Sequence, residues 1–265
     1  MVPGAVTTLD RAEIGRRLAA VDIAVLDVDG CMYPGYTQIT LGHRLLNGFI
    51  RRELRHPPSS LFLLRLVARG GVLYWIKFLV RDPEKRNFLL QKHYAAAFRG
   101  ISRTDIRAIL PRVWKKLDAN VPPCLAYLAR RVPLGIISLG LDVILDGLPA
   151  YLDRRQPAVP FLFCCSNRII WNDGHFEGLV DPVRVGAADK ARLFRAAGER
   201  HGVHVPLVIG HNAEERELCR VAEQRGGLSI GMRPAVGDQA SFHVVIEHGG
   251  WDTLLAFLRQ HWPVE

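Results

Sequence analysis

The stretch IAVLDVDGCMYPG, from Ile23 to Gly35, limits more than any other what this chain can fold into. Four apolar residues, Ile23 to Leu26, run directly into two carboxylates, Asp27 and Asp29, and a glycine, Gly30. An unbroken apolar run bounded by turn residues reads as a central strand of a parallel sheet, because such strands are covered on both faces. In open α/β sheets, ligands bind just outside the carboxyl ends of the strands, which predicts Asp27 and Asp29 at the mouth of the fold. Gly30 and Gly35 let the chain turn sharply away. Taken alone, the same residues also describe an acidic loop, since Asp is common in turns.

The rest of the chain decides between the two. Asp10 and Glu13 form a capping-box pattern that opens a helix with Ile14, Leu18 and Ala19. After Pro133 the run Leu134–Ile137 reads as a second core strand closing on Ser138, followed by a helix with Ile144, Leu148, Tyr151 and Leu152 on one face. FLFCC from Phe161 is a third strand, and RIIWNDGHFEGLV a β-hairpin turning at Asn172-Asp173-Gly174. A helix enters at Ala188-Asp189-Lys190, PLVIG is another buried strand, and a helix starts near Ala213. GGLSIGM and FHVVIEH supply the last strands and Trp251–Leu258 a closing helix. This alternation predicts an α/β fold, a Rossmann-like doubly wound parallel sheet. Residues 1–38 and 131–265 form its core, and residues 39–130 an inserted α-helical cap domain. The insertion leaves beside Asp27, so it can lie over the carboxylates as a lid.

Within the insertion, Leu45, Leu46, Phe49 and Ile50 recur at helical spacing until Pro57–Pro58, and further helices start at Arg81–Glu84 and at Thr104. Ser59–Val80 is apolar enough to raise a transmembrane reading, but Arg65, Arg69 and Lys77 interrupt it and Gly70–Gly71 divides it. A central Arg or Lys costs roughly 2.5–3.5 kcal/mol on insertion scales. Two short amphipathic helices fit better, either packed inside a small helical domain or making peripheral membrane contact through 59–80. Between Arg51 and Arg103, twelve Lys and Arg face three acids, which accounts for the whole net charge of +9. That points to anionic partners or to a solvated basic face.

The first twenty residues carry five charges and no apolar run, so no secretory leader is expected. Five cysteines without CxxC spacing argue for neither a disulfide framework nor structural zinc. A cytoplasmic location is the expectation, with membrane association through 59–80 as its variant.

Several predicted strand ends carry polar groups: Ser138, Lys190 at a helix start, and Gly210-His211-Asn212-Ala213-Glu214-Glu215 after PLVIG. Each alone has an ordinary reading as a cap or a solvated side chain. Gathered at one mouth with two aspartates, they make a consistent phosphate site.

These residues, in this order, resemble the four motifs of the haloacid dehalogenase-like hydrolases. SNRIIWNDGHFEGLV and the FRGIS of the insertion resemble the phosphoserine-phosphatase-like branch with a helical cap. The resemblance spans about Val21 to Leu258. It implies Asp27 as the nucleophile that forms an aspartyl-phosphate and Asp29 as general acid and base. It also implies Ser138 as a hydrogen-bond donor to a phosphoryl oxygen and Lys190 as the neutralising cation. Backbone groups near Val28, Leu139 and Gly140 would bind the remaining oxygens. The presence of Asp29 favours phosphate-ester hydrolysis over dehalogenation. A divalent metal is implied on Asp27, Asp29, His211 and Glu215, Mg²⁺ by resemblance.

The fourth motif departs from the family in carrying His211 where an Asp is usual, and imidazole suits Mn²⁺ or another transition metal better than Mg²⁺. Three outcomes follow: a softer metal on Asp27 and His211, a weakened Mg²⁺ site rescued by Glu214 or Glu215, or a lost site. Cys31 stands where a Thr is usual. The expected activity is metal-dependent hydrolysis of a small or lipid-like phosphate monoester. The alternative is a catalytically impaired phosphate-binding or regulatory protein on the same fold. No nucleic-acid partner is expected, and the sequence leaves the oligomeric state open.

Overall fold

The computed structural model describes residues 2–53, 98–154, 159–180 and 186–263, with scattered positions between 68 and 96. The run Ile23–Leu26 (β2) is an interior strand of a seven-stranded sheet. The other strands are β1 (Ala5–Thr7), β3 (Leu134–Leu141), β4 (Phe161–Asn167), β7 (Pro206–Gly210), β8 (Leu228–Met232) and β9 (Val244–Ile246). The order is β1-β9-β8-β7-β2-β3-β4. Every pair is parallel except β1 with β9. The doubly wound α/β expectation therefore holds, with an antiparallel edge strand added. Three residues are too few to show a period, so β1 left no readable trace in the sequence.

The apolar run of β2 is continuous because both of its faces are buried. Ala24 and Leu26 join the core built with Ile14, Leu18, Leu125, Trp251 and Leu254. Ile23 and Val25 join the core built with Phe194, Leu218, Val221 and Ala222. Helices Arg11–Ala20 (α1), Val121–Ala129 (α4) and Trp251–His261 (α9) thus cover one face, and Asp189–His201 (α7) and Arg216–Gln224 (α8) the other. The predicted cap of α1 is present: Asp10 Oδ1 accepts the Glu13 N–H at 2.8 Å.

Between β2 and β3 lie Thr37–Glu53 (α2), Arg103–Trp114 (α3, capped by Ser102) and α4. Helix α4 packs on α9. The Pro57–Pro58 break lies outside the described residues, as do most of the 59–80 segment and of the Arg81–Glu84 helix start. Among the described residues, Val72, Trp75, Phe78 and Leu79 are exposed, and no helix is long and apolar enough to cross a membrane.

Two readings are corrected around β3. The strand does not close on Ser138 but continues to Leu141, with a register shift against β4 between Ile137 and Leu141. The helix expected after it is two short pieces, Asp142–Leu145 (α5) and Gly147–Leu152 (α6). Pro149 has no N–H to give the Leu145 carbonyl, so the first turn ends there. The hairpin is formed by β5 (Ile169–Asn172) and β6 (His175–Val180). It turns through Asp173 and Gly174 at φ +46° and +74°, the left-handed conformations that an Asp-Gly turn supplies.

Candidate active site

The chain runs from β2 outward to β3 and β4, then crosses back to β7 on the other side of β2. A reversal of this kind opens a crevice at the carboxyl ends of the central strands. Asp27 follows β2, Ser138 lies in β3, His211 follows β7, and Lys190 opens α7.

Asp27 is buried between two nitrogen donors. Lys190 Nζ is 3.1 Å from its Oδ1 and His211 Nδ1 is 3.1 Å from its Oδ2. Burial alone would raise the carboxyl's pKa, but the Lys190 ammonium and the His211 hydrogen bond together hold it below the ordinary value. Lys190 is fully buried, and its ammonium also donates to Glu215 Oε1. The opposing pull of burial is outweighed by these two carboxylates, which keep its pKa above the usual lysine value. Glu215 Oε2 in turn accepts from the backbone N–H of His211 and Asn212 at 3.3 and 3.1 Å. A Lys in the first turn of α7 opposes the helix dipole, and the two carboxylates explain its place there.

Asp29 behaves differently from Asp27. Its Oδ1 accepts the backbone N–H of Thr37 at 2.7 Å, where α2 begins. Among the described residues no cation pairs with it, and burial lifts its pKa to about 7 against the Thr37 hydrogen bonds. A Cβ added to Gly140 would stand 3.3 Å from Ser138 Oγ, 3.7 Å from Asp29 Oδ2 and 3.8 Å from Thr37 Oγ1, so these groups converge on one space. The Gly140 N–H donates to Ser138 Oγ at 3.1 Å.

Directly after the second carboxylate the chain bends back. Gly30 takes φ +77°, and a Cβ there would lie 2.2 Å from His211 Nε2. The His211 ring therefore fills the place a larger residue would need. Asn212 Oδ1 accepts the Glu214 N–H at 2.7 Å, which turns the Asn212 amide N–H toward His211 Nε2 at 3.0 Å. Asp27 and Glu215 raise the imidazole pKa against the effect of burial. The Asn212 donor, by contrast, suits a neutral ring with its proton on Nδ1, directed at Asp27.

Asp27, His211 and Glu215 each offer a ligand atom within 4.8 Å of the others. Two carboxylates and an imidazole suit Mn²⁺, Fe²⁺ or Co²⁺ more than Mg²⁺. The side-chain oxygens of Asp29 lie outside this cluster, one of them on Thr37.

All eight residues expected at the site, Asp27, Asp29, Ser138, Leu139, Gly140, Lys190, His211 and Glu215, lie around this mouth. Sequence reasoning missed Thr37, Gln38, Asn167 and Asn212. Gln38 Nε2 and Asn167 Nδ2 both donate to the Leu139 carbonyl, at 3.1 and 2.8 Å. A signal existed for Asn212, because Asn followed by Glu three residues later is a capping box, and the structure forms one. Nothing in the sequence marked Gln38.

No protein-family model matches the sequence, and no curated protein matches it. Solved structures do. A phospho-aspartyl intermediate analogue of phosphoserine phosphatase is 14% identical, with TM-score 0.61, over 89% of this chain and 98% of its own. A probable phosphoserine phosphatase from Vibrio cholerae is 14% identical, with TM-score 0.64, over 94% of this chain and 68% of its own. Cytosolic 5'-nucleotidase IIIB, solved with cytidine, is 13% identical, with TM-score 0.67, over 98% of this chain and 94% of its own. The chain thus shares its fold with these phosphatase and nucleotidase structures.

Proposed function

We propose that this chain is a phosphomonoesterase that works through Asp27. One contrast carries the reading: two buried aspartates on one turn are tuned in opposite directions. Asp27 is kept ionised by Lys190 and His211, as a nucleophile needs, while Asp29 keeps its proton up to about pH 7, as a general acid needs. An Asp27 oxygen bonds to phosphorus as the ester P–O bond breaks, and the leaving oxygen takes the Asp29 proton. Water then attacks the aspartyl-phosphate, gives its proton back to Asp29, and releases inorganic phosphate and the Asp27 carboxylate. Ser138 Oγ accepts from Gly140, so its own proton is available to a phosphoryl oxygen. The resemblance to phosphatase structures supports the same chemistry.

Charge supports a metal as part of this proposal. Among the described residues, Asp27, Glu215 and a phosphate dianion meet one ammonium, that of Lys190, which leaves negative charge uncompensated in a dry site. Asp27, His211 and Glu215 would hold a divalent ion, which would supply that missing positive charge. The substrate is proposed to be a small or lipid-like phosphate ester, with the basic insertion as its selector. A reducing, cytoplasmic setting goes with it, since all five cysteines are free thiols.

The test is phosphate release from a panel of monoesters after chelation and re-addition of Mg²⁺, Mn²⁺ or Co²⁺. Activity is expected to return best with Mn²⁺ or Co²⁺, to disappear in Asp27→Asn, and to shift toward Mg²⁺ in His211→Asp. Undiminished turnover by Asp27→Asn would refute the mechanism. A second reading rests on the His211 Nδ1 contact with Asp27, which occupies the nucleophile: a phosphate-binding protein without turnover. It predicts phosphate binding with no release from any ester under any of these metals.

A further inference from the structure

The register shift between Ile137 and Leu141 takes residues 138–140 off the β3–β4 ladder. A carbonyl that leaves a ladder inside a protein needs other donors, because an unpaired buried acceptor is costly. The Leu139 carbonyl finds two. Gln38 Nε2 reaches it from the first turn of α2, and the fully buried Asn167 reaches it from the end of β4. No peptide bond here is cis, so the Leu139 carbonyl and the Gly140 N–H point in opposite directions. Holding the carbonyl on one side therefore turns the Gly140 N–H to the other, where it donates to Ser138 Oγ.

We propose that Gln38 and Asn167 are positioning residues for the phosphoryl-binding pair Ser138 and Gly140, acting through the Leu139–Gly140 peptide. The proposal rests on the phosphatase reading and deepens it, because Gln38 opens α2, the helix that leads from the core into the insertion. One turn of α2 then sets both halves of the site: Thr37 holds the general acid Asp29, and Gln38 holds the peptide that aims the anion donors. Correct seating of the first turn of α2 becomes a condition for catalysis.

Gln38→Ala, Gln38→Glu, Asn167→Ala and the double variant Gln38→Ala/Asn167→Ala test this. Kinetics on a monoester and competitive inhibition by inorganic phosphate are the readouts. One amide can still hold the carbonyl, so each single variant is expected to lose about 3–10-fold in kcat with KM within twofold. The double variant should lose about 10²–10³-fold, the scale of an oxyanion donor, and more than the product of the singles. The phosphate inhibition constant should rise in the same order. Gln38 is only half-buried, so its variants should melt with the wild type, and Gln38→Asn should recover part of the loss.

A double variant whose loss is no larger than the product of the singles, or one that follows its melting temperature, overturns the positioning role. If Asn167→Ala does not fold, Gln38→Glu decides: unchanged kcat and phosphate affinity overturn the proposal, and a loss in both at unchanged melting temperature supports it. A wild-type chain that binds phosphate yet hydrolyses no ester removes the phosphatase reading, while the phosphate affinities still judge the positioning role. Turnover by the wild type matched by every variant removes only the positioning role.

Discussion

At the scale of single residues, the site depends on how differently two neighbouring carboxyls are treated. Asp29 has a pKa of about 7 in the fold because it is buried, against about 4 in an unfolded chain. Between those values the folded state binds the extra proton, so stability is full below about pH 4 and is lost as pH rises through about 7. Asp29→Asn keeps an oxygen for the Thr37 N–H and removes the ionisation. It is predicted to flatten the melting profile between pH 5 and 8 and to exceed the wild type at pH 8. The gain is roughly 1.4 kcal/mol for each unit of pKa shift, or about 2–4 kcal/mol. Thermal melts across that range check it, and a pH-independent difference between the two proteins would contradict it. Asp27, Asp29, Ser138 and Lys190 were legible in the sequence because motif spacing exposes them. Gln38 and Asn167 were not, because they act on a backbone carbonyl whose departure from the ladder only a folded sheet reveals.

At the scale of elements, the buried strands were readable because parallel strands covered on both faces show as apolar runs. Their interruptions were not. Pro149 divides one helix, and the bulge in β3 looks like ordinary strand in sequence. The hairpin was legible from Asn172-Asp173-Gly174, but its partner was not. Gly100 N–H donates to the Phe176 carbonyl at 2.7 Å, Phe176 N–H to the Ile101 carbonyl at 2.9 Å, and Arg103 N–H to the Gly174 carbonyl at 2.8 Å. The hairpin thereby ties the core sheet to the base of α3. Phe176 is 1% exposed and packs on Trp171, with ring centroids 6.0 Å apart. Phe176→Ala is predicted to cost about 3–5 kcal/mol by cavity formation. Denaturant unfolding measures it, and a loss under about 1 kcal/mol would mean that the hairpin is not part of the cooperative fold.

At the scale of the whole molecule, topology brings together groups that lie as much as 188 residues apart, from Asp27 to Glu215. The same topology explains why the fold could be read from one sequence: Asp27, Ser138 and His211 sit where strands deliver them to the same edge, and Lys190 joins them from the start of α7. Charge is unevenly distributed on this scale as well, with the whole net +9 falling between Arg51 and Arg103 in the sequence. For a dianionic ester, kcat/KM is predicted to fall several-fold as salt rises from about 20 to 300 mM, with kcat nearly constant, because screening weakens capture. A salt-independent kcat/KM would assign that charge to another partner. The central claim, that Asp27 takes the phosphoryl group, is tested most directly by mass spectrometry of acid-quenched protein during turnover. Wild type, in which Asp29 is intact, should carry one added phosphoryl group on the peptide containing Asp27, and Asp27→Asn should carry none. Phosphate release at the wild-type rate by Asp27→Asn, with no adduct on either protein, would contradict it.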